Sequence, residues 1–338
     1  MMEKIKAMGE PAGAAMLEAA AVGASVPPLR TYALITPARN EAKLIEGTIQ
    51  AVTAQNVLPI RWVIVSDGST DGTDEIVLRY AERFPWIELV RMPERRERHF
   101  AGKVFAINAG IERLAGIPYE VIACLDADIT FQPDYFAFLL DKLTADPQLG
   151  IVGTPYRDVS SEVYDYRFVR AENVSGACQV FRRTCFEAIG GYVAAKGGAI
   201  DTIASLTARM QGWKTQTFTG KICLHHRAVG TAQGGPLRAR FNLGKRDWAV
   251  GNHPLFEAFR GLYQMTKRPY MLRGMALIAG YLSAACKGAE RPVSAELRAF
   301  RRKEQMEHLG LVLTGRGPRA QNGASEGGRS AGVRNHAL

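Results

Sequence analysis

Among the 338 residues there are five cysteines and not one CxxC pair, which excludes a zinc ribbon or a thioredoxin-type redox centre. Cys124, Cys178, Cys185, Cys223 and Cys286 are scattered and odd in number, the pattern of buried free thiols in a reducing cytoplasm rather than of a disulfide framework. Long hydrophobic runs are missing too. The uncharged stretch from Gly274 to Cys286 has thirteen residues, whereas a spanning helix needs about 20. Residues 1–28 are rich in Ala, Gly and Met but carry Glu3, Glu10 and Glu18, so no secretory leader is expected there. The tail, 313–338, is polar, Gly-rich and almost without large apolar side chains, so it cannot offset its ordering entropy. Both ends are expected to be disordered.

What is present can bury one large or two modest cores: 47% of positions are hydrophobic and 22% charged. The formal net charge of +10 points to an anionic partner. Nucleic acid, anionic lipid and phosphorylated small molecules all satisfy that condition.

Between the ends, short apolar segments alternate with helical spacing. "TYALIT" (31–36), "RWVIVS" (61–66), "WIELVR" (86–91), "EVIACL" (120–125) and "LGIVGT" (149–154) read as parallel strands covered on both faces. "EAKLIEGTIQAVTA" places Leu44, Ile45, Thr48 and Val52 on one helical face, and "DGTDEIVLRYAERF" does the same with Ile76, Val77, Tyr80 and Phe84. "PDYFAFLLDKL" begins a further helix with a proline. A β-α unit repeated about four times predicts a doubly wound, mostly parallel α/β sheet. Its ligand site should lie beyond the carboxyl ends of the strands.

Polar residues directly after the strands are therefore the candidates. In "CLDADI", Asp126 and Asp128 are two apart on an extended backbone, so they project together. Two carboxylates that close repel unless a cation or a shared proton intervenes; Mg2+ or Mn2+, taking oxygen ligands, would relieve the repulsion and could grip a diphosphate. An acidic loop capping the next helix is the simpler alternative. In "SDGSTDGT", Asp67 can accept hydrogen bonds from a nucleobase or ribose, while Ser69, Thr70 and Asp71 suit a turn and helix cap.

Taken in order, "TPARNEAKLI", "VIVSDGSTDGT", "AGKVFAINAGI", "CLDADI", "GACQVFRRTCFEAIGGY" and "GAIDTIASLTARMQGW" resemble a family 2 glycosyltransferase of the GT-A fold across roughly residues 30–230. The resemblance implies inverting transfer of a sugar from a nucleotide diphospho-sugar donor to an acceptor hydroxyl, with Mg2+ or Mn2+ as cofactor. By position it places Pro37, Asn40, Glu41, Asp67 and Lys103 on the nucleotide side. Asp126 and Asp128 become the metal and diphosphate pair, and Asp201 the base that deprotonates the acceptor. Two positions depart from the pattern: Ile200 stands where a second acid is usual, and Arg39 where an aromatic often stacks on the base. A guanidinium can stack there or contact phosphate. Asp201 could instead cap its own helix. In "CLHHRAVGT", only one of two adjacent strand residues faces the site; His226 is taken as the further metal ligand and Arg227 as a phosphate clamp, against a surface His pair. The basic loop holding Arg95, Arg96, Arg98 and His99 is either solvated or a phosphate lid.

The expected organisation is a GT-A domain over 29–235 and a helical, basic C-terminal extension over 236–312. Within the extension, Gly274 to Cys286 is either a buried helix or an interfacial one flanked by Lys267, Arg268, Arg273 and Lys287. These flanks make an anionic membrane surface a plausible partner and the cytoplasmic face of the inner membrane a plausible location, with a sugar or lipid-linked glycan as acceptor. The Gln-x-x-Arg-Trp motif of processive synthases is absent; "NLGKRDW" keeps only Trp248. Transfer of a single sugar, in cell-surface polysaccharide or glycolipid synthesis, is expected. A sugar-phosphate nucleotidyltransferase is disfavoured because "TPARNE" has no glycine. A silent nucleotide-sugar binding or scaffolding protein is the main alternative. Nucleic-acid binding, which would require basic and aromatic residues on one surface, is not expected.

Overall fold

The computed structural model describes residues 29, 31–94, 101–158, 170–195, 197–227 and 235–314. The expected lid residues Arg95, Arg96, Arg98 and His99, and nearly all of both tails, lie outside the described residues. The first half of the chain alternates as its periodicity requires: β1 (Tyr32–Ala38), α1 (Ile45–Thr53), β2 (Arg61–Asp67), α2 (Thr73–Arg83), β3 (Ile87–Met92), α3 (Ala101–Glu112) and β4 (Val121–Leu125). Successive strand residues supply opposite faces of the sheet. Tyr32, Leu34, Trp62 and Ile64 enter one core, while Ala33, Ile35, Val63 and Val65 enter the other. Each large apolar side chain so buried contributes about 1.5–3 kcal/mol, which is why these strands need to be apolar on both sides.

There follow β5 (Ile129–Thr130), α4 (Tyr135–Ala145), β6 (Leu149–Gly153), β7 (Tyr156–Asp158), β8 (Cys178–Arg182), α5 (Arg183–Ala188), α6 (Ile200–Met210), β9 (Lys214–Thr217) and β10 (Cys223–His225). The seven-stranded sheet has the order β3-β2-β1-β4-β8-β6-β9. It is parallel except at β8, which runs antiparallel between β4 and β6. From β1 the order proceeds outward through β2 on one side and β4 on the other. This reversal opens a crevice at the carboxyl ends of β1 and β4. A small sheet, β5-β10-β7, stands beside it.

The C-terminal part is helical: α7 (Pro236–Val250), α8 (Pro254–Met265), α9 (Leu272–Cys286) and α10 (Ala295–Leu313). Glycines set its close packing. A Cβ on Gly244 would fall 2.0 Å from the Leu277 carbonyl oxygen, and one on Gly280 2.0 Å from that of Phe241, so α7 and α9 touch backbone to backbone. Arg209 on α6 reaches Glu304 on α10 through Nε–Oε1 (2.8 Å) and Nη2–Oε2 (3.0 Å), tying the helices to the α/β part. Gly274 to Cys286 is thus helical with one face buried. Four cysteines are buried as expected, but Cys286 is exposed, because it falls on the outer face of α9. Among the described residues no helix is long and apolar enough to cross a membrane.

Candidate active site

The crevice widens into a cleft of about 1860 Å3 between the α/β sheet and the C-terminal helices. Pro37, Arg39 and Glu41 reach it from the end of β1, and Asp67 from the end of β2. Arg39 lies 3.6 Å from buried Asp67. Asn40 does not line the cleft. It takes a positive φ of 56°, its Oδ1 accepts from the Thr70 N–H (2.9 Å), and its own N–H donates to Ser69 Oγ (3.1 Å). Asn40 therefore locks the loops after β1 and β2 together. Asn tolerates the left-handed region better than most residues. Asp71 shares this work, accepting from the Thr73 N–H at 3.2 Å and the Ala42 N–H at 3.0 Å.

After β4, Asp126 and Asp128 both line the cleft. Asp126 is paired with the Lys103 ammonium from α3, which also donates to the Gly176 carbonyl (3.3 Å). Burial raises the Asp126 pKa, with Lys103 opposing. Asp128 faces two cations, His225 (Nε2, 3.4 Å) and Arg227 (Nε, 3.7 Å). Burial pushes its carboxyl up, but His225 and Arg227 outweigh that and hold it below the ordinary value. Arg227 also pairs with Glu41, whose pKa burial nevertheless lifts to about 7.

The histidine ring against the acidic pair is that of His225, while His226, the residue expected there, turns its ring to Thr130. Strand register is the reason. β10 sets His225 opposite Asp158 of β7 and Ile129 of β5, so its ring lies between Asp158 (Nδ1–Oδ1, 2.7 Å) and Asp128. Burial would lower its pKa, but hydrogen bonds to Asp128 and Asp158 raise it to about 9, so the ring is a cation at neutral pH. His226 is exposed just past the strand; its backbone N–H donates to the Asp128 carbonyl (3.0 Å), and Nε2 meets Thr130 Oγ1 at 2.8 Å.

Asp201 sits in the first turn of α6 and lines the same cleft. It does not cap its helix, whose N-cap is Ala199 with a φ of 65°. Its Oδ2 instead accepts from the Gly176 N–H at 3.1 Å. A side chain at 176 would crowd Asp201. Gln179, buried in β8, donates to the carbonyls of Val174 (3.0 Å) and Asp201 (3.2 Å) and to Ser205 Oγ (3.2 Å), while Tyr192 donates to its Oε1 (2.6 Å). Thus Lys103 and the 176 peptide connect the Asp126 side of the cleft to Asp201. Ile200 points into the core at 6% exposure.

Asp126 and Asp128 are hard oxygen donors open to the cleft. Mg2+ is commonly held by one or two carboxylates with substrate phosphates completing its shell, so the donor chemistry fits Mg2+ or Mn2+. Among the described residues no group of three or more His, Cys, Asp or Glu forms a complete protein cage.

An acidic pair ringed by Lys103, His225 and Arg227, and a separate carboxylate at Asp201, are thus gathered at the switch point of a mostly parallel α/β sheet. Residues 33–197, just under half of the chain, match the model for glycosyl transferase family 2. Poly-beta-1,6-N-acetyl-D-glucosamine synthase of Staphylococcus aureus (strain COL) is 33% identical over 117 residues, 34% of this chain and 26% of that protein. The synthase of the same name from Staphylococcus epidermidis is 25% identical over 238 residues, 63% of this chain and 52% of that protein. The chain thus spans between a quarter and about half of the length of these relatives. Among solved structures, mannosyltransferase PcManGT from Pyrobaculum calidifontis, in complex with GDP-Man and Mn2+, superposes with a TM-score of 0.51. The match has 21% identity and covers 85% of this chain and 81% of that one, a likeness of fold.

Proposed function

We propose that the protein transfers a single sugar from a nucleotide diphospho-sugar to an acceptor hydroxyl, with inversion at the anomeric carbon. The observation that carries this reading is one cleft holding Asp67, the Asp126–Asp128 pair and Asp201. Asp67, with Arg39 and Pro37, is the nucleotide end. Asp201 takes the proton of the acceptor hydroxyl as its oxygen attacks the anomeric carbon and the bond to the diphosphate breaks. Its N–H partner at Gly176 and the Gln179 grip on its backbone hold that carboxylate in place. Lys103, Arg227 and protonated His225 surround the acidic pair with positive charge suited to the leaving diphosphate. Held by Asp126 and Asp128, Mg2+ or Mn2+ supplies charge neutralisation for that leaving group; the mannosyltransferase of like fold was solved with Mn2+ and GDP-Man.

Trp248 supports single transfer. It packs edge-on against Tyr281 with Arg291 3.7 Å over its ring, within the helical layer and off the cleft wall. The far wall is basic, with Arg238, Arg246, Arg273 and Lys287, which suits an acceptor that is a sugar or a lipid-linked glycan bearing phosphate. Cell-surface polysaccharide or glycolipid synthesis at the cytoplasmic face of the membrane is the corresponding role. A silent nucleotide-sugar binder of the same fold is the second reading, favoured by the absence of an acid at Ile200.

The test is thermal unfolding with a panel of nucleotide diphospho-sugars, with and without Mn2+. A donor at 100 times its Kd should stabilise the chain by about 2.7 kcal/mol. Asp128→Asn should lose the Mn2+-dependent part of that gain. Retention of the full gain by the variant would remove Asp128 from the proposed cation site.

A further inference from the structure

The outer face of the α8–α9 hairpin has no place in glycosyl transfer, yet it is the most apolar surface among the described helices. Apart from Pro254 at its start, α8 exposes Leu255, Ala258 and Leu262. α9 exposes Leu272, Met275, Ala279, Leu282 and Cys286, spaced three and four apart along its whole length. Not one exposed position on either helix is polar. Their neighbours differ: α7 exposes Arg238, Lys245 and Arg246, and α10 exposes Glu296, Lys303 and Glu307. Leu255, Leu262, Met275 and Leu282 are each 53–61% exposed.

The two stripes share one side of the hairpin. A Cβ on Gly274 would meet Met265 Cγ at 2.5 Å, and one on Gly261 would meet Ile278 Cδ1 at 2.6 Å, so contacts climb one helix as they descend the other. The helices are antiparallel. At about 100° per residue, each stripe lies roughly a quarter-turn from that contact line in the same rotational sense. On antiparallel helices this puts both stripes on a common surface. The turn at its end exposes Tyr270 and Met271.

Charge selects the occupant. From 254 to 287 the charged residues are Glu257, Arg260, Lys267, Arg268, Arg273 and Lys287. The sole acid, Glu257, is buried. An apolar plane whose own exposed and half-buried charges from 254 to 287 are all cations, with a tyrosine at its rim, matches the interface of an anionic bilayer. At 12 and 15 residues, the helices are about 18 and 22 Å long, suited to lying in the interface. We propose that the α8–α9 hairpin docks the protein on an anionic phospholipid surface. Arg268, Arg273 and Lys287 also line the cleft, so docking brings the cleft rim to the headgroups, where a lipid-linked acceptor would be presented.

Vesicle binding tests this without any sugar donor, so its outcome is separate from that of the transfer reading. The full chain is floated with vesicles of phosphatidylcholine alone or mixed with phosphatidylglycerol. It should bind the mixed vesicles at least tenfold better, and the triple variant Leu262→Glu, Met275→Glu, Leu282→Glu should lose at least tenfold of that binding while keeping the wild-type melting temperature. An environment-sensitive fluorophore on exposed Cys286 should shift to the blue on adding mixed vesicles. Equal flotation of wild type and variant, or no shift at Cys286, would overturn the proposal. So would a wild-type dimer that the triple variant separates, since a second copy would then be the occupant.

Discussion

Ile200 shows how one side chain divides sequence resemblance from physical fit. The resemblance allows an acid there, but the side chain is 6% exposed and packs in the core beneath the cleft. Ile200→Asp should therefore bury an unpaired carboxylate and lower stability by roughly 2–4 kcal/mol, read by urea unfolding, without a gain in turnover; an unchanged midpoint with faster turnover would count against the proposed single-acid site. Asp67, Asp126 and Asp128 were legible as candidates because each follows an apolar strand, a position that the periodicity locates, whereas Asp201 was reached only through the family resemblance. The relation of His225 to Asp158 was not. It depends on pairing among strands of two and three residues, too short for any period to show which histidine turns inward. Asn40 was legible as a strand-end polar residue, but its side chain goes to the neighbouring loop, a contact 30 residues away in sequence.

Among the elements, the helical layer gives the sharpest stability contrasts. Gly280→Ala would place a Cβ 2.0 Å from the Phe241 carbonyl oxygen, and displacing a backbone should cost about 1–3 kcal/mol. Gly310, exposed on α10, has nothing within 4 Å of its virtual Cβ; there alanine should stabilise by about 0.5–1 kcal/mol. Thermal unfolding of the two variants should move in opposite directions, and equal shifts would contradict the backbone-contact description. Glu257 on α8 makes a pH-dependent contribution. Burial and the Asp247 carboxylate raise its pKa to about 7, against its hydrogen bond to Asn252 and the charge of Arg260. The unfolded chain thus ionises this group first, and stability is lost as pH rises from the ordinary glutamate range toward 7. Glu257→Gln should melt higher than wild type at pH 8, with the difference shrinking toward pH 5; a constant difference would refute the linkage. The first four strands were legible as short apolar segments, and α1, α2 and α4 by their helical spacing or opening proline. Antiparallel β8 was visible only as part of a motif, since five buried residues carry no sign of strand direction.

At the scale of the whole molecule, the cleft belongs to neither part alone. The α/β sheet supplies Asp67, Asp126 and Asp128, and the C-terminal helices supply Arg238, Arg246 and Lys287 on the opposite wall. The Arg209–Glu304 pair joins the two parts, with side chains only 9% and 15% exposed. The sequence located the basic extension but could not show that it borders the cleft, because that depends on long-range contacts such as Arg209 with Glu304, 95 residues apart. The central claim concerns what happens between the two walls. The most direct measurement is release of nucleoside diphosphate from a panel of nucleotide diphospho-sugars with Mn2+, by the wild type and by Asp201→Asn, alongside donor affinity. Wild type should turn over at least one donor; the variant should bind that donor equally well but release product about 10²–10⁴ times more slowly. Near-equal release by the variant, or donor binding by the wild type with no turnover on any acceptor, would overturn Asp201-driven transfer.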